Sequence, residues 1–376
     1  MDYFGVDSIA ELGLGHSLEA AYHWTWKAKP ERTQQVHRRK LLHLTITTTT
    51  TSLLPVPALT AAAQLLGGHR RLSPIDVDTA GQVATHLAAT YTAAPDQHAI
   101  HATHAHAYTL LDLLKRASMT PDSRTRLTAL ASDATSLAGY GDLNAGRLTQ
   151  ANHWFTAALR LARDAEDPRL EAYALASCAW IPLYAPNPDR AAVLTALNAA
   201  AELQRFLPPA GQAWLYSYLS REHATLGDDL RSGRLLEQAH AAAARVPHHD
   251  PGSGWWSTHG ELAGWDNARP DVFTGLRSLL LSRPTHALAV FDSALDGTTN
   301  PVRRTALHED MMKACVALDD PERACTCAHA ALDEARTHQL GLIPTQIRKT
   351  RTTFPPHWHT LTPVMELDDR LADTSS

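Results

Sequence analysis

The sequence predicts an all-α fold, an array of paired helices stacked side by side. Three observations carry this. The first is a recurring spacing. Ala151, Phe155 and Ala158 follow Gly139, and Ala287, Phe291 and Ala294 follow Gly275 at the same offsets. A small residue, a large apolar one four later and a small one three later share one helix face. The small residues admit a neighbouring helix and the large one fills the gap between helices. The second is composition. Apolar residues make up 44 % of the 376, dominated by Ala and Leu, while aromatics are 6 % and no clear Val/Ile/Tyr alternation appears; that favours helix over strand. The third is punctuation: Asp, Thr or Gly beside Pro or Asp recurs where helices should begin.

Taken in order, residues 1–74 read as a vestigial N-terminal segment and linker, partly disordered. Residues 8–13 suit a short helical turn, and Trp24 and Trp26 precede Lys29 and Pro30. Residues 31–44 are basic and compatible with helix. The threonine run 45–51 with Pro55 and Pro57 reads as a linker, and residues 59–66 as a short apolar helix stopped by Gly67 and Gly68. From Ile75 the helical pattern is nearly continuous. Breaks fall at Pro95, Pro121, Pro168, Pro186 and Pro188, Pro208 and Pro209, and Gly227.

Five sets of the spacing can be aligned: Ala151/Phe155/Ala158, Ala192/Ala196/Ala199, Ser232/Leu236/Ala239, Ala287/Phe291/Ala294 and Ala324/Ala328/Ala331. This A-x3-F spacing is part of the tetratricopeptide signature. The sets lie 37 to 55 residues apart, longer than the tetratricopeptide unit of about 34. The expectation is therefore a right-handed α-solenoid of divergent tetratricopeptide-like helix pairs over residues 75–350. A loop is inserted at residues 247–254, and residues 351–376 form a loosely attached C-terminal tail.

Several function classes lose support. The formal charge of −5 argues against nucleic-acid binding by the chain as a whole, so nucleic acid is a doubtful partner. The basic concentration Lys27, Lys29, Arg32, Arg38, Arg39 and Lys40 is either a phosphate contact or a solvated linker face. No stretch approaches the ~20 apolar residues of a membrane span, so no membrane partner is expected. Cys178, Cys315, Cys325 and Cys327 are too few for a disulfide framework, which points to a reducing, cytoplasmic home. Arg38-Arg39 ahead of Leu53-Leu54 has a twin-arginine look, but the threonines between are too polar for an export signal.

Catalytic and metal patterns are weak. His98, His101, His104 and His106 lie about one turn apart in part, yet no carboxylate or cysteine in that helix completes a metal set. Cys325 and Cys327, two apart on a helix, face different sides and suit packing. His308-Glu309-Asp310 and His248-His249-Asp250 contain acid/base types without a nucleophile or an H-E-x-x-H frame. No nucleophile elbow, Walker loop or dinucleotide fingerprint occurs. The sequence predicts no enzyme, no cofactor and no metal.

The most suggestive helix runs over residues 212–226. Trp214, Ser217 and Arg221, at i, i+3 and i+7, share a face. In the alignment they occupy first-helix positions that face the concave groove of such arrays. The same positions elsewhere are Asp133 and Tyr140, Tyr184, then Glu309 and Lys313. An aromatic, a hydroxyl and an arginine on a concave surface suit a peptide, a small molecule or a partner protein. The plainer reading is that Trp214 packs between helices and Arg221 answers Glu222 or Asp228. Trp255 and Trp256 either cap the array or fill its core.

Two stretches resemble a known family. Gln35-Val36-His37-Arg38-Arg39-Lys40-Leu41-Leu42 looks like a linker, and Phe155-Thr156-Ala157-Ala158-Leu159-Arg160-Leu161-Ala162-Arg163 looks like a well-preserved repeat, of the C-terminal, tetratricopeptide-rich part of actinobacterial helix-turn-helix (Xre-type) transcriptional regulators. The resemblance spans about residues 31–345. It implies ligand recognition tied to transcriptional control of development or secondary metabolism. About thirty residues before the linker are too few for a helix-turn-helix, so the expectation is that the DNA-binding head is lost or lies upstream of Met1. The leading function is non-enzymatic recognition in the groove. The alternatives are a DNA-binding regulator whose head is missing from this chain and a pure protein–protein interaction scaffold; a homodimer is also open.

Overall fold

The computed structural model describes residues 71–246 and 269–373. The segment 1–70 with the basic cluster near residue 38, residues 247–268 with His248, His249, Trp255 and Trp256, and residues 374–376 lie outside the described residues. Those described are all-helical, apart from one isolated parallel bridge between Arg71 and Ser118. In chain order the helices are α1 (Pro74–Ala93), α2 (Gln97–Arg116), α3 (Pro121–Asn144), α4 (Leu148–Asp164), α5 (Pro168–Cys178), α6 (Trp180–Tyr184), α7 (Arg190–Glu202), α8 (Pro209–Thr225), α9 (Asp229–Ala243), α10 (Arg269–Leu280), α11 (Pro284–Asp296), α12 (Pro301–Ala317), α13 (Pro321–His338), α14 (Leu342–Arg351) and α15 (Thr362–Asp373).

Helix starts follow local chemistry. Asp167, Asp189, Asp228, Asn300 and Asp320 each turn a side-chain oxygen onto a first-turn backbone N–H, answering donors that have no partner inside the helix. Pro stands at the first helical position of α5, α8, α11, α12 and α13, where its missing N–H costs nothing.

The small/large/small stripe keeps one register. In each second helix the first stripe residue donates its backbone N–H to the carbonyl four residues earlier: Ala151 to Arg147 (3.0 Å), Ser232 to Asp228 (3.0 Å), Ala287 to Arg283 (3.1 Å) and Ala324 to Asp320 (3.1 Å). In α7 the residue in that position is Val193, bonded to Asp189 at 3.1 Å. The expected set Ala192/Ala196/Ala199 is therefore one residue out. Val193, Leu197 and Ala200 are buried, while Ala192 and Ala199 are only half-buried. The run of alanines imitates the small positions, but the Asp189 cap decides which residue turns inward.

The chain divides into two compact units. The first comprises residues 71–87, 101–136 and 155–203. Here α5 packs on α7, Phe155 meets Trp180 edge-to-face at 5.5 Å, and Ser132 Oγ donates to the Ala158 carbonyl at 2.8 Å. The second comprises residues 88–100, 137–154, 204–246 and 269–373. Its helices pair as α8 with α9, α10 with α11 and α12 with α13, and neighbouring pairs touch through α8 and α10 and through α11 and α12. Gly275 on α10 lets the Phe291 ring lie where a Cβ would stand, 2.5 Å from Cε1. The turn after α3 also meets the turn before α14: a Cβ on Gly341 would lie 2.5 Å from the Ala145 carbonyl oxygen.

The C-terminal segment differs from expectation. It docks where a loose tail was expected. Phe354, Trp358, Val364, Leu367 and Leu371 are buried, and α15 packs on α13. The prolines at 355 and 356 mask in sequence an apolar stripe at i, i+3 and i+7 that begins at Val364.

One buried group predicts an acid response. His106 is buried with its Nε2 unpartnered, and burial pulls its imidazole from 6.5 down to about 4. Below pH 6.5 the unfolded chain takes up a proton that the folded chain refuses. Stability present above pH 6.5 is then lost as pH falls toward about 4. Burial lowers His86, His153, His223 and His329 in the same direction. Urea denaturation at pH 7 and pH 4.5 should show a loss on the order of 2–3 kcal/mol from His106 alone. The variant His106→Leu should lose less stability than the parent between the two pH values. An equal loss in both would contradict this role.

Candidate functional site

The candidate groups sit on first helices of pairs. In the second unit these are α8 and α12, each buried nearly all round. On α8, Trp214 is 1 % exposed and Ser217 is fully buried, its Oγ donating back to the Ala213 carbonyl at 2.8 Å. Trp214 meets Tyr218 edge-to-face at 5.7 Å, and Tyr218 meets Phe273 of α10 at 5.1 Å. Both residues thus contribute to the packing of α8. Arg221 takes the plainer arrangement open to it in the sequence. Its Nε and Nη2 donate to Glu222 Oε1 at 2.9 and 2.7 Å, and its guanidinium lies over the Tyr218 ring at 4.6 Å. A planar cation held by a ring face and a buried carboxylate is oriented rather than mobile.

On α12 a denser charge cluster forms. Lys313 Nζ donates to Glu309 Oε2 at 2.6 Å and to Asp310 Oδ1 at 3.0 Å, the i+4 and i+3 neighbours on one helix face. Thr350 of α14 donates its hydroxyl to Glu309 Oε1 at 3.3 Å. Glu309 and Asp310 are buried; the Lys313 side chain is 40 % exposed. Burial pushes the Glu309 carboxyl above its usual range and the Asp310 charge adds to this, while Lys313 opposes it. Burial also works against the Lys313 charge, but Asp310 and Glu309 outweigh it and hold the ammonium protonated. Two carboxyls against one ammonium leave an excess of negative charge, suited to a further cation or hydrogen-bond donor.

The other sequence candidates lie on other helices. Tyr140 is buried in the second unit, edge-to-face with Tyr91 at 5.9 Å. Asp133, 1 % exposed, and Tyr184, half-buried, belong to the first unit. Within the second unit α10 packs against both α8 and α12, so the Arg221 and Lys313 groups lie on first helices separated by one, α10. Sequence reading noted Asp310 as an acid/base type but left it out of the groove set, and it missed Thr350. The i+3 spacing of Asp310 to Lys313 was available to place the first. Thr350 has no local signal, because α14 reaches the cluster only through tertiary packing.

His98 is exposed, His101 and His104 are half-buried, and His106 is buried. Among the described residues no group of three His, Cys, Asp or Glu side chains is arranged to hold a metal ion. No helix among them is long and apolar enough to cross a membrane. No protein-family model matches the chain, and no curated protein matches it.

Proposed function

We propose that the chain is a non-enzymatic recognition protein, a right-handed solenoid of tetratricopeptide-like helix pairs whose first helices hold a ligand in a concave groove. The observation that carries this reading is the α12 cluster. Charged side chains seldom lie this far inside a helical array unless they are paired, and here Glu309, Asp310 and Lys313 leave a net negative charge. Two carboxyls that share one ammonium at low exposure carry a desolvation cost. A ligand that brings a cationic or donor group removes part of that cost on binding. Arg221, oriented by Tyr218 and Glu222, offers a planar donor two pairs away. A peptide, a metabolite with an amine, or a basic segment of a partner protein has the required chemistry. Regulation would follow where the ligand prefers one curvature of the array, since a ligand without preference shifts nothing. The resemblance of residues 35–42 and 155–163 to tetratricopeptide-rich regulators supports a role in transcriptional control.

The test is capture from a native lysate, followed by mass spectrometry of both released small molecules and co-purified proteins. Asp310→Asn and Arg221→Ala should retain the helical circular-dichroism signal and recover the wild-type ligand at one tenth or less of its wild-type amount, the effect of about 1.4 kcal/mol. Equal recovery by wild type and both variants would refute the groove assignment.

A further inference from the structure

Within the second unit, segments far apart in the chain meet at one junction. On one side are residues 88–100 and 137–146, from the end of α1, the start of α2 and the end of α3. On the other are the start of α12 and the turn between α13 and α14. Asn300 Nδ2 donates to the Thr92 carbonyl at 3.1 Å, and the Gln97 N–H donates to Gln339 Oε1 at 3.2 Å. Beside these bonds two glycines lie backbone to backbone. A Cβ on Gly341 would stand 2.5 Å from the Ala145 carbonyl oxygen, and one on Gly146 would stand 3.1 Å from the Gly341 carbonyl. Asn300 also caps α12, its Oδ1 accepting from the Arg303 N–H at 3.0 Å. Gln339 ends α13 in the left-handed region, at φ 55°.

Each side of the junction is braced. Asn144 Nδ2 donates to the Tyr91 hydroxyl at 2.9 Å and ties the end of α3 to the end of α1. On the other side α14 packs on α12, and Thr350 donates to Glu309 at 3.3 Å. Asn300 stands nine residues before Glu309, and Gly341 nine before Thr350, about 13 Å along each helix at 1.5 Å per residue. The junction and the Glu309–Thr350 contact are therefore the two ends of one paired stretch of α12 and α14. The bonds across the junction join side-chain amides to backbone groups. Gln97 and Gln339 are exposed and Asn300 and Thr92 half-buried, so water can replace either partner. Such a bond shifts an open–closed equilibrium by roughly fivefold.

We propose that this junction is a releasable latch, which closes the second unit and whose release frees α12 and α14 at the Glu309–Thr350 contact. Two polar bonds and a glycine-to-glycine approach hold two braced bodies together, so the bodies separate without losing their own internal bonds. The latch stands without the recognition reading. Where a ligand binds the α12 cluster, it acts at the far end of the helices that the latch holds.

The test is amide hydrogen exchange on the full chain, read by peptide mass spectrometry. Asn300→Asp keeps the oxygen that caps α12 and removes the donor to Thr92. Gln339→Gly removes the acceptor for Gln97 and suits the left-handed backbone at that position. Combined, they delete both bonds and leave the helix ends satisfied. Exchange should rise roughly 25-fold in peptides covering 88–100, 137–147 and 342–352, and stay within about twofold of wild type in those of α8 to α11. Gly341→Ala, which sets a methyl against the Ala145 carbonyl, should raise exchange in the same three peptides. Gly297→Ala, whose Cβ would meet nothing closer than 3.8 Å, should not. Unchanged exchange in the double variant would overturn the latch. An equal rise in α8 to α11 would overturn it too, making the junction ordinary packing of one cooperative unit. A rise at 88–100 and 137–147 with 342–352 unchanged would overturn its link to the Glu309–Thr350 contact.

Discussion

Phe155→Ala should destabilise the chain by about 3–5 kcal/mol, the range for deleting a fully buried aromatic ring. Phe155 is 0 % exposed, and its ring meets Trp180 edge-to-face at 5.5 Å. Its stripe neighbours Ala151 and Ala158 are also fully buried. Removal leaves a cavity that two alanines cannot fill, because a methyl side chain has no reach. The companion substitution Phe155→Leu keeps most of the volume and should cost less than half as much. Urea denaturation with far-ultraviolet circular dichroism reads both. A Phe155→Ala loss below about 1 kcal/mol would mean that the ring does not fill the space between helices.

Lys313→Met should produce the largest effect among the charged residues. It leaves the Glu309 and Asp310 carboxyls facing each other with their shared cation gone. Breaking a buried pair costs about 3–5 kcal/mol, and the 40 % exposure of the Lys313 side chain reduces the expectation to about 2 kcal/mol. The pH dependence fixes the cause. The Glu309 carboxyl already sits above its usual range, burial being the leading reason, and loss of Lys313 raises it further. A carboxyl with a raised folded-state pKa binds protons more tightly folded than unfolded, so its stability contribution falls as pH rises through that window. The deficit of Lys313→Met should therefore be greater at pH 7 than at pH 5. Glu309→Gln added to it should recover part of the loss. A deficit that is independent of pH and unchanged by Glu309→Gln would assign Lys313 a packing role through its methylene stem.

Much of the helical order was legible from caps and spacing, because both are local. Asp beside Pro marks the start of α5 and α13, and the small/large/small spacing marks α4, α9 and α11. The errors arose where local signals competed. In α7 the alanine run hid the register that Asp189 sets. At the C-terminus Pro355 and Pro356 suggested a tail, although Trp358 and the Val364 stripe dock on the preceding helices. For the candidate site, sequence spacing placed Glu309 and Lys313 on one face, and the structure joins them. It could not show that Trp214 and Ser217 are consumed by packing, since burial depends on neighbours distant in sequence.

The account rests on one register for every second helix, set by the cap and repeated from pair to pair. Labelling of single introduced cysteines, read peptide by peptide so that the four native cysteines are counted apart, tests it directly. Ala199→Cys and Ala200→Cys, adjacent on α7, should differ sharply under native conditions. Position 199 is half-buried and position 200 is fully buried. With iodoacetamide, Ala199→Cys should be alkylated at least roughly tenfold faster than Ala200→Cys. Equal rates, or faster labelling at position 200, would contradict the register and with it the stacking of the pairs.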